Sequence, residues 1–279
     1  MTNTRGTVLI TGCSSGIGAA TAQRLAANGW DVWASARRPE TLADLAAAGC
    51  RTVALDVTDE ASMTGAVDAV LAGSGRIDAL VNNAGYSQSG ALESLDVDDV
   101  RRQFETNVFG LLRLTQLVLP TMREQRSGRI VNIGSMGGKL TFPGGGAYHA
   151  TKYAVEALSD ALRFEVSGFG IKVVLIEPGL ITTNFEAAVA AGMPTGEGPY
   201  AAFNAQVQSA TSEAYGGPMA RFGGPPEAVA KVIEKALTKG HPKPRYTVTV
   251  SAPAAMVTRK VLGDRGWDLA MRAQFPRPE

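Results

Sequence analysis

Tyr148 and Lys152 stand four residues apart, and Ser135 lies upstream of them. On a helix that spacing sets both side chains on one face, about 6 Å apart along the axis. A phenol with an unperturbed pKa near ~10 is a poor base at neutral pH. An ammonium beside it favours the phenolate and lowers that pKa. Ser135 can offer a hydroxyl donor to a carbonyl oxygen. Together the three groups are suited to moving a proton on and off an alcohol. Tyr and Lys at helical spacing are usually only surface neighbours, so the reading depends on the elements around them.

The start of the chain supplies such a context. Thr7 to Thr11 is a short apolar run that reads as a buried strand. Gly12-Cys13-Ser14-Ser15-Gly16-Ile17-Gly18 follows, and Ala19 to Asn28 reads as a helix that stops at Gly29. Strand, glycine loop and helix form the arrangement that a dinucleotide loop requires. Gly12, Gly16 and Gly18 let the backbone turn tightly and approach a pyrophosphate, and the helix N-terminus adds free N–H groups and a positive dipole end. The spacing is G-x-x-x-G-x-G rather than G-x-G-x-x-G. Asp31 to Ala36 reads as the second strand. An acid about 20 positions past the loop would bond the ribose hydroxyls of NAD. Ala36, Arg37 and Arg38 stand there instead. Arginine pairs well with phosphate, so Arg37 points to the 2′-phosphate of NADP rather than to NAD.

Strands and helices then alternate. Pro39 to Ala48 is a short helix, and Arg51 to Leu55 is the third strand, with Asp56 and Val57 at its carboxyl end near an expected adenine. A helix runs from about Glu60 to Gly73. Ala79 to Val81 is the fourth strand and ends in Asn82-Asn83-Ala84-Gly85, whose small residues suit close approach to a ligand. Val97 to Gln125 reads as one long helix holding Asn107. Gly128 to Gly134 is the fifth strand, with Ser135 at its carboxyl end, and a glycine-rich loop leads to the Tyr148 helix, which runs to about Ser167. Ile171 to Ile176 is the sixth strand, followed by Glu177-Pro178-Gly179. Leu180 to Pro226 is expected to be irregular, a lid or substrate-binding loop. Glu227 to Thr238 is a helix, Arg245 to Val250 a seventh strand, and Pro253 to Phe275 a tail of two short amphipathic helices.

This alternation implies an α/β fold: a doubly wound, parallel, seven-stranded sheet in a single domain spanning residues 1–279. Ligands bind beyond the carboxyl ends of such strands. The glycine loop, Asn82, Ser135 and Pro178 all fall at those ends, and their convergence outweighs any one motif.

Composition removes other classes. The 279 residues are 45% hydrophobic and 19% charged, enough for a substantial core. With 27 Lys plus Arg against 26 Asp plus Glu, the net charge of +1 gives no field favouring nucleic acid or an acidic membrane. Cys13 and Cys50 make no disulfide framework, which fits a reducing cytoplasm. They form no metal-ligand spacing with His149 and His241. No signal peptide is visible, and the most apolar helix, Leu111 to Pro120, is interrupted by Arg113 and too short to span a bilayer.

In these motifs the chain resembles the short-chain dehydrogenase/reductase family in its compact form, from Thr7 to about Val250. The family's T-G-x-x-x-G-x-G matches Thr11, Gly12, Gly16 and Gly18, and its N-N-A-G matches Asn82 to Gly85. Its Asn–Ser–Tyr–Lys tetrad falls on Asn107, Ser135, Tyr148 and Lys152, and its P-G segment on Pro178-Gly179. The resemblance implies a Rossmann-like fold. It also implies an NADP(H)-dependent oxidoreductase interconverting a ketone or aldehyde with its alcohol. The cofactor contacts it implies are Gly12, Ser14, Ser15, Gly16, Ile17, Gly18, Arg37, Asp56, Val57, Asn83, Ala84, Gly85, Tyr148, Lys152, Pro178, Gly179, Ile181 and Thr183. Thr183 would hold the nicotinamide amide, Lys152 the ribose, and Asn107 a water linking Lys152 to solvent. The glycine loop and Gly134-Ser135 look most like the hydroxysteroid and retinol dehydrogenase branch, where the positions of Ser14 and Arg37 hold the 2′-phosphate and substrates are lipophilic. The resemblance further implies a homodimer or homotetramer through the long helices. Two departures stand out: Gly134 replaces a second Ser, and Lys139 is an unusual charge in a loop that often faces substrate. The rival class is an NADP-binding protein that regulates a partner without chemistry, since fold alone does not decide function. A complete tetrad argues for the enzyme.

Overall fold

A computed structural model describes residues 4–183, 189, 192–194 and 197–275. The strands are β1 (Thr7–Ile10), β2 (Asp31–Ala36), β3 (Arg51–Ala54), β4 (Ala79–Asn82), β5 (Gly128–Ile133), β6 (Ile171–Pro178) and β7 (Arg245–Val248). They form one sheet in the order β3-β2-β1-β4-β5-β6-β7, and every pair is parallel. The helices are α1 (Gly16–Ala27), α2 (Ala43–Ala47), α3 (Glu60–Ser74), α4 (Val97–Phe104), α5 (Gly110–Glu124), α6 (Gly146–Glu165), α7 (Ala201–Gly216), α8 (Pro226–Thr238) and α9 (Ser251–Arg272).

The strands read as near-continuous apolar runs because both faces are covered. Alternate residues feed two cores. Val8, Ile10, Val32, Ala34, Val131 and Ile176 pack with Leu25 of α1 and Val229 and Ile233 of α8. Leu9, Trp33, Leu80, Ile130 and Val173 face the other way, onto Val67 and Val70 of α3 and Leu114 and Val118 of α5. The strand order reverses between β1 and β4, which opens a crevice at their carboxyl ends.

Three expectations change. The helix expected over Val97 to Gln125 is interrupted by a π-helical turn at Glu105–Phe109, and Asn107 lies inside it. Such one-turn bulges often mark functional sites. The stretch 180–226, expected to be irregular, contains α7 and a 3₁₀ turn at Pro218–Phe222. Ala201 to Tyr215 carries neither Gly nor Pro, a local signal that the Gly- and Pro-rich flanks mask when the whole stretch is averaged. Residues 184–188, 190–191 and 195–196 of that expected lid lie outside the described residues. The strand expected to reach Val250 ends at Val248, because Thr249 turns to a φ of 74°. The tail behaves as expected of a pair of helices, with α9 breaking at Gly263 (φ 58°, ψ −169°). Among the described residues no helix is long and apolar enough to cross a membrane, and no cluster of His, Cys, Asp and Glu is suited to a metal ion.

Candidate active site

The glycine loop is shaped by its backbone. Gly12 and Gly16 have φ of 71° and 58°, where side chains are disfavoured. A Cβ on Gly18 would lie 2.2 Å from the Gly12 carbonyl oxygen, so α1 can approach the loop this closely only at glycine. The loop is tied to the end of β4. The Thr11 hydroxyl accepts hydrogen bonds from the backbone N–H groups of Asn83 and Ala84, each at 2.9 Å. The Asn83 amide donates to the carbonyls of Thr11 (2.9 Å) and Gly12 (3.1 Å). Its side chain is thus a brace for the loop.

No side chain caps the N-terminus of α1, which leaves its first N–H groups facing the crevice at the strand ends. Ser14, Ser15, Arg37 and Arg38 are exposed around this opening. Arg37 directly follows β2, and its positive charge is felt at Tyr86, directly after Gly85. The Asp56 carboxylate accepts from the N–H and hydroxyl of Thr58 at 2.9 and 2.8 Å. Val57 is buried, and a Cβ on Gly110 would meet its carbonyl at 2.3 Å. The loop after β3 therefore seats on the start of α5. A Cβ on Gly16 would lie 3.2 Å from Thr183, so the segment after β6 closes over the start of α1. Pro178 is buried, and Gly179 donates to the Val248 carbonyl at 3.0 Å. Ile181 is buried and bridges to Gly224.

The catalytic candidates are held by side chains. The Ser135 hydroxyl accepts from the Gly137 N–H at 3.0 Å and hydrogen-bonds the Tyr148 phenol. Lys152 is buried, and its Nζ donates to the Ile133 carbonyl at 2.8 Å. The same Nζ lies 5.7 Å from the centre of the Tyr148 ring. Asn107 is buried in its π-turn. Its Oδ1 accepts from the Tyr86 N–H at 3.0 Å, and its Nδ2 donates to the Tyr86 carbonyl at 2.9 Å and the Thr151 hydroxyl at 3.1 Å. Thr151 in turn donates to the Tyr148 carbonyl at 2.7 Å. Asn107 therefore connects the segment after Gly85 to the backbone that carries Tyr148.

The expected lowering of the Tyr148 pKa by Lys152 is reversed in the protein alone. Burial pushes Tyr148 up to about 12, more than the Ser135 hydrogen bond pulls it down. Burial also lowers Lys152 to about 8. Desolvation is the largest influence here, and Lys152 spends one donor on the Ile133 carbonyl. At neutral pH the phenol is protonated, and so is most of the amine.

Sequence reasoning overlooked several supporting residues. His149 is buried with Nδ1 2.9 Å from the Gly137 carbonyl and Nε2 accepting from the Phe142 N–H at 3.3 Å, which pins the loop between Ser135 and Tyr148. Its partners fix the tautomer with the proton on Nδ1. Asn82 donates to Thr115 (3.0 Å) and Asn132 (2.9 Å), and Asn132 donates to Ser159 (2.9 Å), which ties β4, β5, α5 and α6 beneath the site. Lys139, singled out in the sequence as an unusual charge, is exposed and pairs with the buried Glu156 at 2.6 Å. A cavity of about 480 Å³ opens at Gly146, two residues before Tyr148, with Leu92, Phe142, Tyr200 and Phe203 among its walls. Neither Ser135 nor Tyr148 lines it.

The short chain dehydrogenase family pattern matches residues 6–194. The chain belongs to the short-chain dehydrogenase family. It is 39% identical over 262 residues to the uncharacterized oxidoreductase YbbO of Escherichia coli K12, covering 94% of this chain and 92% of that one. It is 34% identical over 250 residues to the NADPH-dependent 3-dehydrocapnine reductase of Ornithobacterium rhinotracheale, covering 86% and 87%. Among solved structures, a short-chain dehydrogenase from Streptomyces avermitilis superposes with a TM-score of 0.81 at 37% identity, covering 98% of this chain and 99% of that one. The chain is accordingly an oxidoreductase, and its described fold is that of the short-chain dehydrogenases.

Proposed function

We propose that this protein is an NADP(H)-dependent reductase that converts an apolar ketone or aldehyde to its alcohol, with Asn107, Ser135, Tyr148 and Lys152 as its working residues. The observation that carries the reading is the Tyr148 phenol, hydrogen-bonded to Ser135, on a helix face shared with Lys152, whose Nζ lies 5.7 Å from the ring centre. A neutral phenol is in the form that donates a proton to a developing alkoxide, and it takes the proton back in the oxidative direction.

The crevice fits a dinucleotide. The backbone cradle at Gly12 to Gly18 would fill if any glycine gained a Cβ pointing into it, and uncapped N–H groups at α1 suit a pyrophosphate. Ser14, Ser15, Gly16, Ile17 and Arg37 would hold the phosphates, Asp56 and Val57 the adenine, and Ala84 and Gly85 the adjoining ribose. Pro178, Gly179, Ile181 and Thr183 would hold the nicotinamide end. Arg37 in place of an acid supports NADP(H), as does the NADPH-dependent relative. When bound, the cofactor supplies the hydride.

The chain's own groups do the rest. Ser135 donates to the substrate carbonyl oxygen and fixes its distance from Tyr148. Tyr148 gives its proton to the alkoxide oxygen as negative charge develops there. Lys152 holds the ribose and presents a positive charge on the Tyr148 side of the site. Asn107, through Thr151, keeps the first turn of α6 in place. The cavity at Gly146 lies beside the reacting groups, and its walls Leu92, Phe142, Tyr200 and Phe203, with Glu93 and Thr141, would take the apolar part of a substrate reaching out from Ser135 and Tyr148, such as a steroid or retinoid. A substrate-binding role for the part of the chain around α7 is supported by its contacts with the segment after β4: Asn204 accepts from the Ala91 N–H at 2.9 Å, and Tyr200 donates to Glu93 at 2.7 Å.

The test is consumption of NADPH with a panel of apolar ketones and aldehydes, using wild type and Tyr148→Phe. The variant should bind NADPH nearly as well and lose about 10²- to 10⁴-fold in turnover. Turnover retained in the variant removes Tyr148 from the acid role.

A further inference from the structure

We infer that Glu156 and Glu177 share a single proton, and that this carboxyl pair is the clamp that positions the Ser135 loop and the end of β6 on α6. The inference depends on the reductase reading only for the identity of what the clamp positions. Both side chains are buried, at 5% and 3% exposure. Glu156 lies four residues after Lys152 and eight after Tyr148, so all three share one face of α6. Glu177 directly precedes Pro178 and Gly179 at the end of β6.

The neighbouring cations are unevenly divided between the two. Lys139 sits 2.6 Å from Glu156 Oε2, and Arg245 binds that same oxygen at 3.0 and 3.1 Å. Arg245 also reaches Asp160 at 2.5 Å, and Arg163 binds the other oxygen of Asp160 at 2.6 Å. Glu177 is left with Arg245 Nε at 3.6 Å, too long for a hydrogen bond. Lys152, one turn before Glu156, donates a hydrogen bond to the Ile133 carbonyl. Among the described residues, Oε1 of Glu156 and Oε1 of Glu177 are both buried without a donor. The two carboxyl groups meet at one nitrogen: Arg245 Nε lies 3.1 Å from Glu156 Oε2 and 3.6 Å from Glu177 Oε1. Two carboxylates in such a place repel, and one proton between them turns the repulsion into a bond.

The position of the pair gives it a task. Lys139 ends the short loop that Ser135 begins. A Cβ on Gly138 would meet Glu156 Cγ at 2.9 Å and the Lys152 carbonyl at 3.0 Å, so this loop rests on α6 at the glutamate. Arg245 brings in β7, and Glu177 brings in the end of β6. Four elements therefore meet at one proton. Burial first, and the neighbouring Glu156 second, raise Glu177 to about 7 from the ordinary 4.5, against the opposing pull of Lys139 and Arg245. A raised carboxyl pKa means that the folded state holds its proton longer than the unfolded chain does. The associated stability is complete below the unfolded value and is lost as pH rises through about 7.

The test uses the full chain without cofactor. Infrared difference spectra across neutral pH should show a carboxylic-acid C=O band that disappears as pH rises, and Glu177→Gln should lack it. Lys139→Met, which changes only an exposed side chain, should move the midpoint upward because a cation favouring the ionised form is gone. Amide exchange in segments 134–140 and 177–181, corrected for intrinsic pH dependence, should speed up above the midpoint in wild type and not in Glu177→Gln. A wild type with no titrating carboxylic acid, a band that survives in Glu177→Gln, or a midpoint unmoved by Lys139→Met overturns the shared proton. Equal exchange behaviour in the two proteins overturns the positioning role. No arm requires NADPH turnover, so failure of the reductase reading is seen separately. Should Glu177→Gln fail to fold, the Lys139→Met midpoint still decides.

Discussion

The two halves of the crevice are built on different principles. On the β1 side, the glycine loop is defined by side chains that are missing: Gly12 and Gly16 hold positive φ, and Gly18 lets α1 approach the Gly12 carbonyl. On the β5 side, Ser135, Tyr148 and Lys152 are defined by side chains that are present, the first two partly exposed and Lys152 buried, with Asn107, Thr151, His149 and the Glu156–Glu177 pair buried around them. A backbone cradle tolerates no added atom but few of its side chains carry the shape. A polar network tolerates some change of shape but no lost partner, because each orphaned buried group costs about 1–3 kcal/mol. The same sheet edge should therefore respond to mutation in two distinct ways.

The largest effect beyond loss of Tyr148 is expected at Asn107. Asn107→Leu orphans the Tyr86 N–H and removes one partner each from the Tyr86 carbonyl, which keeps Gln103, and from the Thr151 hydroxyl, which keeps the Tyr148 carbonyl. Stability should fall by about 1–3 kcal/mol, measured by urea unfolding, and turnover should fall at temperatures where the variant is folded. NADPH affinity, read by quenching of protein fluorescence, should drop far less than turnover. An equal drop in both would mean that the two halves of the crevice act as one unit.

Gly18→Ala breaks the other half. Its methyl would stand 2.2 Å from the Gly12 carbonyl, and the loop must yield. Overpacking of this kind costs roughly 1–3 kcal/mol. Here the loss should appear mainly as weaker NADPH binding, with turnover at saturating NADPH close to wild type. A variant with intact affinity would show that the cradle is looser than its geometry implies.

This contrast also explains what could be read from the chain alone. A glycine in place of a side chain is visible in sequence, so the loop, the parallel seven-stranded sheet and the convergence of Ser135, Tyr148 and Lys152 were legible. Network partners are far apart in sequence and look ordinary. Nothing around Glu156 announces Glu177 or Arg245, and His149 stands out only as a poor metal ligand. The sign of the Tyr148 shift was also illegible, because it depends on how deeply the hydroxyl is buried and where the Lys152 donors point. Asn107 as a π-turn residue was hidden for a related reason: the apolar period of Val97 to Gln125 runs on through the bulge.

Arg37 sharpens the comparison by lying in the loop half yet acting through charge. Arg37→Ala should weaken NADPH by about tenfold or more, the worth of one charge-assisted hydrogen bond of ~1.5–3 kcal/mol, and leave NADH nearly unchanged. Titration of each coenzyme against the variant reads the difference. Equal losses would place the guanidinium away from the 2′-phosphate.

His149 offers the smallest and most selective test of the network half. Its ring is buried between the Gly137 carbonyl and the Phe142 N–H, and burial lowers its pKa from the ordinary 6.5. With a folded pKa below the unfolded one, the unfolded chain takes up a proton first as the solution is acidified. The stability that His149 contributes is therefore complete above about 6.5 and is lost as pH falls through the window beneath it. His149→Asn keeps a short donor toward Gly137 but cannot titrate. Melting temperatures of the two proteins should differ most at slightly alkaline pH and converge on acidification. The loop between Ser135 and Tyr148 loosens when the imidazole gains a proton, because Nε2 then donates and can no longer accept from Phe142. A gap that stays constant with pH would mean that His149 fills space in this loop without governing its hydrogen bonds.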